Sequence, residues 1–119
     1  MITLLATDGV PGLEICREKD TSPQLWERVP HVEGALIVNI GDMLERWTNC
    51  LYRSTLHRVI SVGKERYSVA LFLHPNSDFM VECLESCCSD ACPPRFPPIR
   101  CSDYIKERLK STFPENKIE

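Results

Sequence analysis

At 119 residues, with 43% hydrophobic and 26% charged side chains, the chain has the composition of one small globular domain or part of one. A formal charge of -3 and a pI near 5.6 leave no basic footprint, which argues against a nucleic-acid partner. No apolar run is long enough to span a bilayer and no secretory leader pattern is present, so the expectation is a cytoplasmic protein with no membrane partner.

In chain order, Ile2 to Thr7 is compact, apolar and β-branched, Asp8 to Gly12 holds the residues of a tight turn, and Leu13 to Cys16 alternates. This pattern predicts a β-hairpin, with Asp8 as a turn former bonding its own backbone. Lys19 to Glu33 is polar, broken by Pro23 and Pro30 and anchored by Trp26, and reads as a connection around a short strand. Its His31 is a solvated loop histidine with no spacing to His57 that suggests a shared metal. Ala35 to Ile40 is the strongest buried-strand signal. Gly41-Asp42 ends it, and Met43 to Trp47 forms a short helical turn with Asp42 as its N-cap.

The stretch from Leu51 to Phe72 carries the chemistry. Two short apolar runs flank Ser61 to Glu65, whose glycine and charges read as a turn; from the residues alone the runs could pair as a hairpin. Strand alternation puts Arg66, Ser68, Ala70 and Phe72 on one face and Tyr67, Val69 and Leu71 on the other. A planar guanidinium binds a carboxylate in two-pronged fashion, and a hydroxyl two residues along adds a hydrogen bond. A neutral imidazole, His57, is a good ligand for iron, zinc or copper. The pattern therefore holds a metal at one end and an acid at the other.

Leu73 to Asp78 ends the strand in a loop, where His74 precedes a proline and is expected to be exposed and inert. Of the seven cysteines, Cys83, Cys87, Cys88, Cys92 and Cys101 fall close together. Their spacing fits a zinc knuckle only loosely, and the odd total argues against a disulfide framework, so a reduced, partly buried cluster is expected. Pro93, Pro94, Pro97 and Pro98 stiffen the chain after Cys92 into an extended segment. Ser102 to Thr112 forms a closing helix capped by Ser102, with Asp103 in its first turn and Tyr104, Ile105 and Leu109 on one side; Phe113-Pro114 stops it.

Taken together, Ile2 to Ile15, Ala35 to Asn49, Ser54 to Val59, Arg66 to Phe72 and Pro97 to Leu109 resemble the C-terminal half of the iron(II)- and 2-oxoglutarate-dependent dioxygenases. The branch is the one that includes isopenicillin N synthase and the plant flavonoid, gibberellin and alkaloid oxygenases. The series Asn-Ile-Gly-Asp, Trp-Thr-Asn, His-Arg-Val and Arg-Tyr-Ser comes in the family's order and at about its spacing. By this resemblance His57 is the distal histidine of a two-histidine, one-carboxylate iron site, and Arg66 with Ser68 grips the distal carboxylate of 2-oxoglutarate. The other two ligands form a His-x-Asp element a few residues upstream of the Ile2 strand in the family, so the expectation is that these 119 residues carry one ligand of three. The family commonly has glycine after Trp-x-Asn, whereas Cys50 follows Asn49 here; a positive φ at that position would strain a cysteine.

The implied fold is mainly β, an incomplete double-stranded β-helix or jelly roll with a C-terminal helix, with His57 and Arg66 on opposite sheets and both pointing inward. The implied organisation is the C-terminal part of a single dioxygenase domain over 1–119, with an extension from about residue 83. The cofactors are Fe(II) and 2-oxoglutarate, with ascorbate as a candidate reductant. The reaction is hydroxylation or desaturation of a small organic molecule. The contrasting expectation is a non-catalytic product, or a module that needs a protein partner to cover open sheet edges and exposed apolar surface.

Overall fold

The strands are β1 (Ile2–Thr7), β2 (Leu13–Cys16), β3 (Glu27–Arg28), β4 (Ile37–Ile40), β5 (Leu56–Val59), β6 (Ser68–Leu73), β7 (Met80–Val81) and β8 (Ile99–Arg100), and the helices are α1 (Asp42–Trp47) and α2 (Cys101–Thr112). These elements come from a computed structural model that describes residues 1–112. The expected helix stop at Phe113-Pro114 lies outside the described residues.

Two antiparallel sheets of three strands organise the molecule, one in the order β4-β1-β6 and the other β3-β2-β5. In the first, Thr3 pairs with Asn39 and Phe72, and Leu5 with Ile37 and Ala70, which puts these side chains on one face. In the second, Leu13 pairs with Val59 and Ile15 with His57. One cavity is lined by Thr3, Leu5, Ile37 and Phe72 from the first sheet and by Leu13, Ile15, His57 and Val59 from the second, so these two faces look at each other. On the other side of the second sheet, Glu14 binds Arg58 at 2.8 Å and the Arg58 guanidinium lies 4.0 Å from the centre of the Trp26 ring.

Two expectations change. The first two strands are not a hairpin: β1 and β2 lie in different sheets, and Asp8 to Gly12 is a crossover between them. Each strand has aliphatic residues to pair in its own sheet, and the turn composition alone does not say whether the chain folds back or crosses. The runs that carry His57 and Arg66, which the residues alone left free to pair, lie in opposite sheets as the resemblance implies; β5 pairs with β2, and β6 with β1. Finally, the N-cap of α1 is Gly41 with no side-chain cap, Asp42 being the first helical residue, and α2 begins at Cys101, one residue before Ser102. Asp42 instead accepts from Ser54 Oγ and pairs with Arg108 at 3.0 Å, tying α1 to α2.

The most deeply buried cluster lies away from the two sheets, where Met43 of α1, Val81 of β7 and Cys101 of α2 pack with Met1, Trp47, Ile99, Tyr104 and Ile105. Trp47 meets Phe79 edge to face at 5.3 Å. By contrast Val69 and Leu71 stand 75% and 55% exposed on the face of the first sheet opposite the cavity.

Asn49 anchors the cysteine-rich segment. It is buried, and its Nδ2 donates to the carbonyls of Cys87 (3.1 Å) and Pro93 (3.2 Å) while Oδ1 accepts from the Arg95 amide at 2.9 Å. Asn49 and Cys50 both take positive φ, 51° and 70°. Asparagine tolerates that region, whereas Cys50 carries the strain expected for a cysteine there. Truncation at Asn49 leaves two carbonyls and an amide without their partner. Asn49→Ala is expected to lower the unfolding free energy by about 2–4 kcal/mol in urea denaturation, with the 83–95 segment losing amide-exchange protection first.

Candidate iron and 2-oxoglutarate site

His57, Arg66 and Ser68 meet in the cavity between the two sheets, of about 370 Å³. Much of its wall is aliphatic (Leu5, Leu13, Ile15, Val29, Ile37 and Val59), but His57, Ser68, Val59 and Phe72 are exposed, so the space is open to solvent. Sequence alternation correctly groups Arg66, Ser68, Ala70 and Phe72, all of which line the cavity.

His57 sits in β5 with its Nδ1 3.0 Å from the Thr55 carbonyl oxygen. A carbonyl only accepts, so Nδ1 carries the proton and Nε2 keeps its lone pair for a metal. Among the described residues lining the cavity, no carboxylate, thiolate or second imidazole joins it. Nor do the described residues elsewhere contain a group of three or more His, Cys, Asp or Glu side chains placed to hold a metal.

Arg66 precedes the first residue of β6. Its Nε donates to the Val10 carbonyl at 3.3 Å, and its terminal guanidinium nitrogens make no hydrogen bond or ion pair among the described residues. The two-pronged edge is therefore open to a ligand carboxylate. Gly12 makes the close passage of chain possible: a Cβ there would lie 2.8 Å from the Ile60 carbonyl oxygen and 3.3 Å from Arg66 Cδ. Ser68, opposite Thr7 in the ladder, points the same way as Arg66. This donor set, a free guanidinium edge and a hydroxyl on one sheet and an imidazole Nε2 on the facing sheet, has chemistry compatible with 2-oxoglutarate and with one bond to a metal.

A second cavity, of about 460 Å³, shares Thr3, Asn39, Thr55, His57 and Phe72 with the first and continues to Tyr104, Ile105 and Leu109 of α2. Asp42, Ser54 and Arg108 form part of its polar rim. Behind them Lys19 Nζ binds Glu45 at 2.9 Å and Ser54 Oγ at 3.2 Å. Burial pushes the Glu45 carboxyl up, but the hydrogen bonds from Lys19 and Ser54 outweigh it and hold it below its ordinary value. Burial raises the Tyr104 hydroxyl, which stays protonated as a donor.

The other candidates fall outside these cavities or have no ligand role. His31 lies beside Thr7 and Gly9 and meets Glu33 at 3.2 Å, and His74 Nδ1 is engaged with the Pro75 carbonyl at 3.0 Å while its side chain borders the second cavity. All seven cysteines are free thiols. Burial and a hydrogen bond with Cys88 push Cys83 up to about 11, which keeps it protonated. Sequence reasoning missed the Thr55 and Val10 carbonyls and the Gly12 passage. Only the glycine left a signal, and that signal read as a turn.

A model of the 2OG-Fe(II) oxygenase superfamily matches residues 1–75, and the chain belongs to that family. It is 54% identical over 120 residues to kihadalactone A synthase LFS of Citrus sinensis, covering 98% of this chain and 36% of that protein. The full-length Neurospora crassa T7H in complex with alpha-KG superposes with a TM-score of 0.81 at 30% identity, over 94% of this chain and 35% of that one. JOX2 in complex with 2OG, Fe and JA superposes with a TM-score of 0.77 at 37% identity, over 89% of this chain and 30% of that one. The chain thus spans about a third of the length of the curated relatives it matches. Family membership and the bound groups of these structures support Fe(II) and 2-oxoglutarate as the cofactors, and the similar structures take small molecules beside them. Among the described residues no helix is long and apolar enough to cross a membrane.

Nitrogen-15 spectra of the histidine side chains at alkaline pH are expected to show His57 with Nδ1 protonated and Nε2 bare. The reverse tautomer would remove His57 as an Nε2 ligand.

Proposed function

We propose that this chain forms the part of an iron(II)- and 2-oxoglutarate-dependent dioxygenase domain that grips the cosubstrate and supplies one iron ligand. The observation that carries the reading is that His57, Arg66 and Ser68, drawn from opposite sheets, line one cavity. His57 is the metal ligand, and Arg66 with Ser68 binds the distal carboxylate of 2-oxoglutarate. The architecture we infer is an incomplete double-stranded β-helix, or jelly roll, with the segment from about residue 83 as an extension packed on it.

When bound, iron(II) with 2-oxoglutarate supplies the oxidising chemistry that hydroxylates or desaturates a small organic molecule. The chain's own residues act by position. Arg66 neutralises the distal carboxylate through charge-assisted bonds from its planar fork. Ser68 adds a donor beside it and fixes the acid's rotation. Thr55 holds the His57 ring with Nε2 facing the reacting centre, a role typical of the carbonyls that orient ligating histidines. The second cavity, with Met43, Phe72, Ile105 and Leu109 on its wall, receives the apolar body of the substrate.

Since one imidazole is a weak iron site, turnover requires further ligands beyond those the described residues place in the cavity. The same reading gives the exposed outer face of the first sheet a protein surface to cover it. Seven free thiols suit a reducing compartment, and the cytoplasm is the location we propose.

Calorimetric titration of the chain with 2-oxoglutarate in the presence of iron(II), under argon, tests the assignment. Arg66→Ala is expected to weaken binding by about a hundred-fold, the loss of two charge-assisted bonds, and Arg66→Lys by less because charge survives without the fork. Equal affinity in parent and Arg66→Ala would remove the assignment.

A further inference from the structure

This inference rests on the 2-oxoglutarate reading and concerns what aims Arg66. Arg66 lies outside the β6 ladder, which begins at Ser68, so strand pairing does not hold its own peptide. Its neighbour Tyr67 is held instead by Asp8. The Tyr67 amide donates to Asp8 Oδ2 at 2.8 Å, and the Asp8 amide donates back to the Tyr67 carbonyl at 3.2 Å. The other carboxylate oxygen, Oδ1, accepts from the Val10 amide at 3.1 Å. Val10 is also the residue whose carbonyl takes Arg66 Nε at 3.3 Å.

One carboxylate thus clamps both the residue adjoining Arg66 in sequence and the residue that binds its side chain. A turn former needs only the short-range bond to Val10. The bond to Tyr67, 59 residues away, does something else: it fixes the crossover loop to the strand that starts with the arginine. The geometry also leaves the arginine's charge uncommitted. Asp8 forms no ion pair with Arg66 among the described residues, so the carboxylate orients the guanidinium without competing for the edge that a ligand needs. The backbone donors, that of Tyr67 first, hold the Asp8 carboxyl below its ordinary range, and the positive charge of Arg66 adds to the effect.

We propose that Asp8 is a positioning residue for 2-oxoglutarate binding: through the Tyr67 amide and the Val10 peptide it presets the direction of the Arg66 guanidinium. A preset guanidinium loses less freedom when the acid binds, which raises affinity without a direct contact. Asp8 itself touches neither acid nor metal.

The test compares the 119-residue chain with Asp8→Ala and Asp8→Asn, the latter keeping one acceptor oxygen. Three quantities are read: the Nε–H signal of Arg66 in proton–nitrogen spectra without ligand, the affinity for 2-oxoglutarate with iron(II) under argon, and the amide spectrum as a check of fold. In the parent the Arg66 Nε–H signal is expected to be resolved and slow to exchange. In Asp8→Ala it moves to the position of a free arginine and affinity falls about ten-fold, with Asp8→Asn between the two and the His57 ring signals of the opposite sheet unmoved. A folded Asp8→Ala chain with the parent's Arg66 signal and affinity overturns the proposal. Should Asp8→Ala not fold, the same two readings on Asp8→Asn decide, and parent-like values overturn it there too. If the parent binds no 2-oxoglutarate while the Arg66 signal still follows Asp8, positioning of the arginine stands and the cosubstrate assignment fails.

Discussion

The crossover from β1 to β2 is the constraint on which the site depends. Had Asp8 to Gly12 folded back as a hairpin, the strands carrying His57 and Arg66 would have joined one surface. Because it crosses, β1 pairs with β6 and β2 with β5, and the two functional strands face each other across the cavity. The crossing is tight. Ile60 donates its amide to the Gly12 carbonyl at 2.9 Å, and the space where a Gly12 side chain would stand is taken by the Ile60 carbonyl and the Arg66 stem. One short segment thereby sets the separation of the sheets and the path of the arginine.

From that corner the polarity of the cavity follows. Its aliphatic lining comes from positions that alternate inward in both sheets, and its few polar groups are those the alternation places among them. A charged fork at one end and an imidazole with a bare Nε2 on the opposite sheet suit a ligand that is an acid at one end and a metal chelator at the other. Helix α2 lines the adjoining second cavity, held by the contact of Arg108 with Asp42 and by the burial of Cys101 in the small core.

Much of this was legible in the sequence, and the reasons differ by element. Alternation over Arg66 to Phe72 is a local property of the chain and gave the inward face of β6 correctly. The strands of Ile2 to Thr7 and Leu13 to Cys16 were legible for the same reason. Their pairing was not, since which strand a strand meets is decided by long-range register, and two turn-rich glycines serve a hairpin and a crossover equally well. Asp42 illustrates a second kind of limit: an aspartate before a short apolar helix reads as a cap, but the charge of Arg108, 66 positions later, and the Ser54 hydroxyl claim it. Asn49 is a third. The Trp-Thr-Asn series stood out as part of a family pattern, yet the physical role of the asparagine, bonding to Cys87, Pro93 and Arg95, belongs to a loop that sequence reasoning had treated for its thiols.

The most direct measurement of the central claim is an amide and side-chain chemical-shift map of the isotope-labelled chain as 2-oxoglutarate is added in the presence of a diamagnetic divalent metal. The account predicts perturbations on the inward faces of both sheets at once, at Leu5, Ser68 and Arg66 on one side and at Ile15, His57 and Val59 on the other, saturating at a single affinity. Perturbations confined to one sheet, or scattered over exposed arginines and lysines elsewhere, would contradict it.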